Sequence, residues 1–362
     1  MSTTPTSSVS SPTGSVRPSA PALPCTVEDA DDFLSRPTPA VLKLAETLPT
    51  PVLVLGAGGK MGLHLSLMLK HALVAVGRGT ERVIAVSRFT TLRDRDAFSR
   101  ADIETIACDL SDEKQVAALP DAPTVYFLAG VKFGTSNSPQ LLEQMNVIMP
   151  RLVAKRYQSS SIVAFSTGCV YPFVPTDTKG ASEDTPIAPV GEYAESCARR
   201  EEAFAESAKS AGTKVALIRL NYSVEFRYGV LVDIATKVLN RQPVDVTMGH
   251  VNIIWQRDAV AHAILAIEQA ASPAVPVNVT GERVLRVRDL AADFGRLFGV
   301  EPIIVGNEAP TAWLNDASRS HALFGAPPTS LESMEQWVAA WLAAGCDTWG
   351  KPTGFEKRDG KF

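Results

Sequence analysis

Residues 52–62 read VLVLGAGGKMG, and this stretch decides the fold. The four apolar residues Val52–Leu55 have the length of a buried strand, and a glycine-rich loop follows them without a break. A helix that begins directly after such a loop points its free N–H groups and the positive end of its dipole at the loop, which suits a pyrophosphate. Gly56 permits the tight turn, Gly59 lets the backbone approach a phosphate, and Gly62 allows the helix to pack closely on the strand. The stretch therefore predicts a dinucleotide-binding turn.

Apolar runs of strand length alternate with helical patterns in the residues that follow this loop. Strands that are apolar throughout and alternate with helices indicate a parallel sheet that is covered on both faces. The pattern predicts an α/β fold with a doubly wound parallel sheet of the Rossmann type. The predicted strands are Val52–Leu55, Val83–Val86, Ile103–Ala107, Thr124–Leu128, Ser161–Phe165 and Val215–Leu220, and the predicted helices are Lys60–Val74, Ser111–Ala118, Pro139–Gln158 and Gly191–Ala211.

The composition is that of an ordinary globular chain, and it argues against several classes of protein. The chain has 362 residues, 35 Lys plus Arg, 39 Asp plus Glu and a net charge of −4, which disfavours a protein that grips nucleic-acid phosphates. No apolar run approaches the roughly 20 residues of a membrane span. The five cysteines form no C-x-x-C pair, which is typical of a reducing compartment. We predict a cytoplasmic protein with no metal site and no membrane partner.

Five further segments carry recognisable motifs. They are CDLSD at 108–112, LAGVK at 128–132, STGCVY at 166–171, RLN at 219–221, and YAESC at 193–197 in place of Y-x-x-x-K. Together with the G-x-x-G-x-x-G loop, these segments resemble the extended branch of the short-chain dehydrogenase/reductase superfamily. Within that branch the chain resembles the NAD-dependent epimerase/dehydratase family, and LAGVK is similar to the A-G-L-K stretch of UDP-galactose 4-epimerases. The resemblance covers roughly residues 51–342.

The resemblance implies a dinucleotide bound along the carboxyl edge of the sheet, with Asp109 accepting from the adenine amino group. The second strand ends in Ser87-Arg88 and lacks the acidic residue that suits NAD. A guanidinium at Arg88 suits the 2′-phosphate of NADP, so we predict NADP, with NAD as the alternative and a plain surface arginine as the other interpretation. The predicted cofactor residues are Gly56, Gly59, Lys60, Met61, Gly62, Ser87, Arg88, Asp109, Leu110, Ala129, Gly130, Lys132 and Tyr193.

The catalytic pattern of the family is incomplete in this chain. In the family a tyrosine exchanges a proton with the substrate, and a lysine four residues later stabilises its phenolate. Tyr193 is in place, but Cys197 occupies the lysine position, and a neutral thiol supplies no charge. The charge could come from Arg200 on the same helix, from Lys132 or from the oxidised nicotinamide ring; we favour Arg200 as an exposed partner of a nearby glutamate instead. The resemblance implies Thr167, Tyr193, Cys197 and Asn146 as catalytic residues and Lys132, Gly168, Cys169 and Asn221 as substrate residues.

The regular alternation of strands and helices weakens after Leu220, which predicts a smaller second domain, and the resemblance implies that this domain is discontinuous. Thr38-Pro39 has the pattern of a helix N-cap followed by proline at the first helical position. The predicted organisation is a disordered tail at 1–26, a helical lead-in at 27–50, a Rossmann domain at 51–221 plus about 251–280, a substrate domain at about 222–250 plus 281–350, and a tail at 351–362.

The leading hypothesis for function is an NAD(P)-dependent oxidoreductase, epimerase or dehydratase that acts on a small sugar-like or polyhydroxylated substrate. Thr167 would hydrogen-bond the reacting oxygen, and Tyr193 would act as acid and base. The missing lysine motivates the alternative of a dinucleotide-binding sensor or scaffold without turnover. The resemblance also implies a homodimer built on the helices Pro139–Gln158 and Gly191–Ala211.

Overall fold

The protein is described here as a computed structural model, which covers residues 23–90, 95–132 and 138–360. The predicted disordered tail lies outside the described residues as far as residue 22, and so do residues 361 and 362 of the predicted C-terminal tail. Among the described residues, no helix is both long enough and apolar enough to cross a membrane.

Helices and strands alternate along most of the described chain. The helices are α1 Val27–Leu34, α2 Pro39–Ala45, α3 Lys60–Ala75, α4 Asp96–Arg100, α5 Glu113–Ala117, α6 Pro139–Glu143, α7 Met149–Arg156, α8 Glu192–Ala211, α9 Val230–Leu239, α10 Gln256–Leu265, α11 Val287–Phe298, α12 Ser318–Phe324 and α13 Leu331–Ala343. The strands are β1 Val52–Leu55, β2 Val83–Ser87, β3 Glu104–Ala107, β4 Thr124–Phe127, β5 Ser161–Thr167, β6 Val174–Pro175, β7 Lys214–Leu220, β8 Ser223–Val224, β9 Pro243–Asp245, β10 His250–Val251, β11 Ile254–Trp255, β12 Val275–Val279, β13 Leu285–Arg286, β14 Ile303–Val305 and β15 Thr311–Ala312.

A seven-stranded parallel sheet in the order β12-β7-β5-β4-β1-β2-β3 forms the centre of the described chain. This architecture confirms the predicted doubly wound α/β fold. The prediction of six strands missed β12, which pairs in parallel with β7. The sequence of β12 interrupts its valines with Pro276 and Asn278, so it lacks a continuous apolar run. Its place at the edge of the sheet tolerates the missing N–H of the proline.

Helices cover both faces of the sheet because successive side chains of a strand point to opposite sides. Val52 and Val54 of β1 join one apolar cluster together with Met68 of α3 and Ile264 of α10. Leu53 and Leu55 join the opposite cluster, which includes Val153 of α7 and Phe204 of α8. A third cluster lies among α1, α9, α11 and α13 and buries several aromatic side chains, Phe33, Phe226, Trp255, Phe294 and Trp341 among them. The predicted division into two domains stays a prediction.

The strand order changes direction between β1 and β4, so the loops after these two strands meet at the carboxyl edge. Gly56 follows β1 with a φ of +88°, and an added Cβ there would lie 2.6 Å from the backbone nitrogen of Ala129, which follows β4. Only glycine fits this close approach in a left-handed conformation. Open α/β sheets bind their ligands in the crevice at such a point.

The predicted helix Pro139–Gln158 is wrong in one respect, because a π-helical turn at Gln144–Ile148 interrupts it between α6 and α7. Pro150 has no N–H to donate to the carbonyl of Asn146 four residues earlier, so the regular α-helical ladder has a gap there. π turns inside helices occur frequently at functional sites. This one carries Asn146, a predicted catalytic residue.

Candidate active site

The glycine loop leaves the start of α3 open toward a cavity. Gly59 is the N-cap of α3 and has no side chain with which to cap the first N–H groups of the helix. An added Cβ at Gly62 would lie 2.6 Å from Cα of Ala57, so the helix packs directly on the loop. A cavity of about 250 Å³ borders the loop, and its lining brings together the predicted cofactor residues Gly56, Gly59, Ser87, Arg88, Asp109, Leu110, Ala129 and Gly130.

Two charged residues that line this cavity, Asp109 and Arg88, lie after β3 and at the end of β2. Oδ1 of Asp109 accepts hydrogen bonds from N (2.9 Å) and Oγ (2.7 Å) of Ser111. These bonds, together with the charge of Arg88, lower the pKa of Asp109, so its carboxylate is ionised at neutral pH. The exposed Arg88 also lines a neighbouring cavity of about 350 Å³ with Ser87 and Thr90. Between Ser87 and Thr90 the chain reads SRFT, so this end of β2 offers hydroxyl groups and a guanidinium but no carboxylate.

Asn146 fixes the loop that follows β4. Its Oδ1 accepts from the backbone N–H of Val131 (3.0 Å), and its Nδ2 donates to the carbonyl of Val131 (2.9 Å) and to Oγ of Ser196 on α8 (2.9 Å). The side chain is fully buried. It thereby ties the cofactor-side loop to α8, the helix that carries Tyr193.

Tyr193 is half-buried in the first turn of α8. Burial raises the pKa of its hydroxyl well above the usual value, the Cys197 thiol raises it further, and the positive charge of Arg200 opposes both. Cys197 is fully buried, and burial raises the pKa of its thiol as well. The thiol is therefore neutral at physiological pH, and the lysine position of the family motif supplies no charge.

The expectation that Arg200 is an exposed helix partner is wrong. Arg200 is only 7% exposed and donates to the carbonyl of Phe165 (3.1 Å) and to Oδ1 of Asn146. An added Cβ at Gly130 would overlap its guanidinium, which therefore lies directly beside the cofactor-side loop. Seven residues make nearly two full helical turns, so Arg200 shares the inward face of α8 with Tyr193.

The two residues that flank Arg200 on α8 pair with other elements of the protein. Glu201 forms a buried ion pair with Arg219 of β7 (2.7 Å), and the exposed Arg199 pairs with Glu143 of α6. The guanidinium of Arg200 is thus held by neutral acceptors and keeps its full positive charge, because arginine is not deprotonated in proteins.

Lys132 brings a second cationic group near the tyrosine. Its Nζ lies 5.7 Å from the centre of the Tyr193 ring and donates to the carbonyl of Thr353 (3.4 Å). Burial lowers the pKa of this amine, while the nearby Cys169 and Cys197 oppose the shift. Lys132 is consequently a weaker source of fixed charge than Arg200.

A third cavity, of about 170 Å³, collects most of the predicted substrate residues and is called the substrate-side cavity below. Thr167 ends β5, and its hydroxyl accepts from the N–H of Cys169 (3.2 Å). Met61 lines this cavity and neither of the two cavities beside Arg88, whereas Lys60 lines both this cavity and the 350 Å³ cavity beside Arg88. Burial lowers the pKa of Lys60 to about 7. The lining includes Lys60, Met61, Lys132, Thr167, Cys169, Asn221, Tyr222, Tyr228, Gln256 and Thr353.

Two predicted substrate residues are engaged by the chain itself. Nδ2 of Asn221 donates to Oδ1 of Asn252 (2.8 Å) and to the carbonyl of Trp313 (3.2 Å). Gly168 lies against the side chain of Asn315, because an added Cβ would be 2.6 Å from its Oδ1. Gly168 is thus a packing position at the back of the site.

Sequence reasoning missed the residues that reach the substrate-side cavity from far along the chain. Tyr228 belongs to no motif, and its sequence surroundings gave no signal for a site. Thr353 lies in the segment predicted to be a tail, yet it is 4% exposed and borders the cavity. Phe355 in the same segment is 1% exposed, so Thr353 and Phe355 anchor the predicted tail to the protein, while Lys351, Pro352, Lys357 and Asp359 are exposed.

Comparison with known proteins matches the chain to a family model. The model of the NAD dependent epimerase/dehydratase family matches residues 52–279. No curated protein matches the chain. Several solved structures share its fold at low sequence identity. MoeE5 in complex with UDP-glucose and NAD has a TM-score of 0.65 at 18% identity, covering 82% of this chain and 99% of its own.

Two further solved structures agree with this fold assignment. A UDP-galactose 4-epimerase has a TM-score of 0.63 at 21% identity, covering 81% of this chain and 99% of its own. The UDP-glucuronic acid 4-epimerase from Bacillus cereus in complex with NAD has a TM-score of 0.65 at 16% identity, covering 81% of this chain and 98% of its own.

Proposed function

Because this chain belongs to the NAD dependent epimerase/dehydratase family, we propose that it is an NAD(P)-dependent enzyme that oxidises, epimerises or dehydrates a sugar-like or other polyhydroxylated substrate. The observation that carries the proposal is the position of Lys132, which lines the substrate-side cavity with Thr167 while its Nζ lies 5.7 Å from the Tyr193 ring. A bound nicotinamide would supply reversible hydride transfer. The protein would supply binding, orientation and the proton.

Tyr193 is proposed as the acid and base. Its raised pKa keeps the phenol protonated at neutral pH, so it meets a substrate oxygen as a proton donor. In the opposite direction the phenolate must form first, and burial makes that costly unless a positive charge lies close by. Thr167 is proposed to hold the reacting oxygen through its hydroxyl.

Arg200 is proposed to supply the charge that the family lysine would supply. It is permanently protonated, it is buried, and it lowers the pKa of Tyr193 against the effects of burial and of Cys197. Asn146 and the Phe165 carbonyl fix its position. Lys132, with its lowered pKa, is proposed to hydrogen-bond the substrate or the ribose of the cofactor.

The cofactor is proposed to be NADP, with NAD as the alternative. The support lies in residues 87–90 at the end of β2, where Ser87, Arg88 and Thr90 border one cavity and no acidic residue occurs; Asp31 of α1 also lines this cavity and is paired with Arg227. A 2′-phosphate at this place would pair with the Arg88 guanidinium. The solved structures of MoeE5 and of the Bacillus cereus epimerase hold NAD, so both cofactors belong in the test.

We also propose a homodimer formed through α6, the π turn, α7 and α8. Two large apolar side chains on this side of the molecule, Leu141 and Ile148, are 42% and 38% exposed. A dimer interface would remove them from water. Light scattering at micromolar concentration tests this point, and a monomeric mass would contradict it.

A cytoplasmic location is proposed from the cysteines. All five, including the buried Cys108, Cys169 and Cys197, are free thiols. Free thiols persist in a reducing compartment.

The experiment that tests the proposed function measures binding and turnover separately. The purified chain is titrated with NADP and NAD, and then screened for turnover against sugars, nucleotide sugars and simple carbonyl compounds. We expect cofactor binding and turnover of at least one polyhydroxylated substrate. If the chain binds cofactor tightly but turns over no compound of the panel, the proposal of an enzyme is contradicted and a dinucleotide-binding sensor is favoured.

A further inference from the structure

The C-terminal segment at residues 347–360, here called the C-terminal strap, crosses the substrate side of the molecule. At its beginning, Nε1 of Trp349 donates to Oε1 of Glu225 (2.9 Å), and the backbone N–H of Trp349 donates to the carbonyl of Arg227 (3.1 Å). Near its end, the guanidinium of Arg358 donates to the carbonyl (2.6 Å) and hydroxyl (2.7 Å) of Thr311. The strap therefore spans from the loop before α9 to β15.

The centre of the strap is held by Thr353. Its backbone N–H (2.8 Å) and its hydroxyl (2.6 Å) both donate to the same carboxylate oxygen, Oδ2 of Asp233 on α9. Its carbonyl accepts from Nζ of Lys132 (3.4 Å). One strap residue thus connects α9 with the lysine that lies beside Tyr193.

The strap divides the available space into two small cavities. Thr353 borders the substrate-side cavity of about 170 Å³, while Lys351, Pro352 and Glu356 border another cavity of about 220 Å³. Tyr228 lines both cavities, so they are neighbours separated at the strap. Small-molecule sites usually measure about 300–1,000 Å³. Each cavity alone is too small for such a site, and the two together reach that range.

Glycines flank the central part of the strap. Gly350 has a φ of +61° and Gly354 a φ of +67°, one on each side of the residues 351–353. Glycine adopts both signs of φ with little cost, so these two positions can absorb a rotation of the segment between them.

We propose that the C-terminal strap is a gate of the substrate-side cavity, and that the hydrogen bonds from Thr353 to Asp233 latch it shut. When the latch opens, residues 351–353 swing away on the flanking glycines, and the two cavities merge into one cleft. The proposal rests on the proposed function only in treating this cavity as the substrate site.

The rate of Cys169 alkylation tests the gate without requiring cofactor or turnover. Cys169 is 6% exposed and lines the cavity beside Thr353, so a closed strap slows its reaction with iodoacetamide. Peptide mass spectrometry follows Cys169 and, as an internal reference, Cys108, which is 4% exposed and lies on the cofactor side. Asp233→Ala removes the latch, and Asp289→Ala removes the matching acid from the first turn of α11.

We expect Asp233→Ala to speed the alkylation of Cys169 by about ten-fold or more, because the latch bonds end on a charged acceptor. Cys108 should react at the wild-type rate, and Asp289→Ala should leave both rates unchanged. In the full-length chain, Thr353→Val, which removes the hydroxyl that donates to Asp233, should also speed the alkylation of Cys169. Equal Cys169 rates in Asp233→Ala and wild type would overturn the gate, and so would a parallel rise at Cys108, which would report general unfolding.

The two proposals fail in different ways. A chain that binds no dinucleotide but shows the Cys169 response has a gate and lacks the proposed function. If the chain turns over substrate but Cys169 is alkylated at the same rate in Asp233→Ala and in wild type, the protein has the proposed function and lacks the gate.

Discussion

The cofactor side and the substrate side of this molecule are built in different ways. On the cofactor side, Gly56, Gly59 and Gly62 lie within one strand–loop–helix unit, and the cavity follows from backbone geometry. On the substrate side, residues far apart in the chain meet, as when Lys132 contacts Thr353 across a separation of 221 residues. Motifs record the first kind of site, because its parts are local. They record the second only in part: Thr167, Cys169 and Asn221 lie in motifs, whereas Tyr228 and Thr353 do not.

The positive charge at the active site also differs between what a local motif records and what the fold brings together. The family pattern places its cation four residues after the tyrosine, where this chain has Cys197. The structure places Arg200 on the same face of α8, held by Asn146 and by the carbonyl of Phe165. Loss of a motif residue therefore need not mean loss of the charge that it supplies.

The largest expected effect separates the chemistry from cofactor binding. Tyr193→Phe should lower kcat by about 10²–10⁴-fold with little change in cofactor affinity, because only a positioned proton donor is lost. Tyr157→Phe is the matched control, since this buried tyrosine donates to the carbonyl of Pro120 away from the site (3.1 Å). Steady-state kinetics and cofactor titration of both variants provide the check. Full activity in Tyr193→Phe would exclude the tyrosine mechanism.

The next effect concerns the cofactor side alone. Gly59→Val should weaken dinucleotide binding by roughly 10²-fold, because overpacking costs about 1–3 kcal/mol and the side chain occupies the phosphate approach. The fold should persist, because Gly59 has an ordinary extended conformation with a φ of −79°. Gly79→Val, in the turn that follows the C-terminal end of α3, is the control. Unchanged cofactor affinity in Gly59→Val would remove the loop from the binding site.

A smaller effect distinguishes the two cofactors. Arg88→Ala should weaken NADP binding by about 10–100-fold, which corresponds to the roughly 1.5–3 kcal/mol of a charged hydrogen bond. NAD lacks the 2′-phosphate, so its affinity should change little. Calorimetric titration of both cofactors measures the difference. If Arg88→Ala weakens the affinity for NADP and NAD equally, or if the wild type prefers NAD, Arg88 does not select the cofactor.

The fold and the cofactor side could be predicted from the sequence because local physics determines them. The apolar run Val52–Leu55 followed by glycines predicts a strand, a turn and a helix, and the structure has all three. The strand β12 escaped prediction because Pro276 interrupts its apolar pattern and its edge position tolerates the proline. The burial of Arg200 could not be predicted from the sequence of α8, because its hydrogen-bond acceptors, Asn146 and Phe165, belong to other elements.

The C-terminal strap shows most clearly which features the local sequence does not predict. Residues 351–360 are polar and basic, which is typical of a tail, yet Thr353 and Phe355 are buried. Their burial depends on Asp233 and on the apolar cluster around α9, and neither is visible in the local sequence.

The central claim is that Arg200 supplies the charge missing at Cys197, and two adjacent arginines test it most directly. Arg200 is buried near Tyr193, whereas Arg199 is exposed and paired with Glu143. Removing a nearby cation raises the pKa of a phenol, and one pKa unit corresponds to about 1.36 kcal/mol. Below that pKa the amount of phenolate falls about ten-fold for each unit, and so does the rate of the oxidative direction.

The measurement is the pH dependence of the oxidative rate in Arg200→Met and Arg199→Met. Because burial holds the pKa of Tyr193 above its usual value, the wild-type rate should still rise above pH 8. We expect Arg200→Met to lower the rate about ten-fold at a fixed alkaline pH and to displace the rising limb upward by about one unit. Arg199→Met should match the wild type. Identical pH profiles for the two variants would contradict the account.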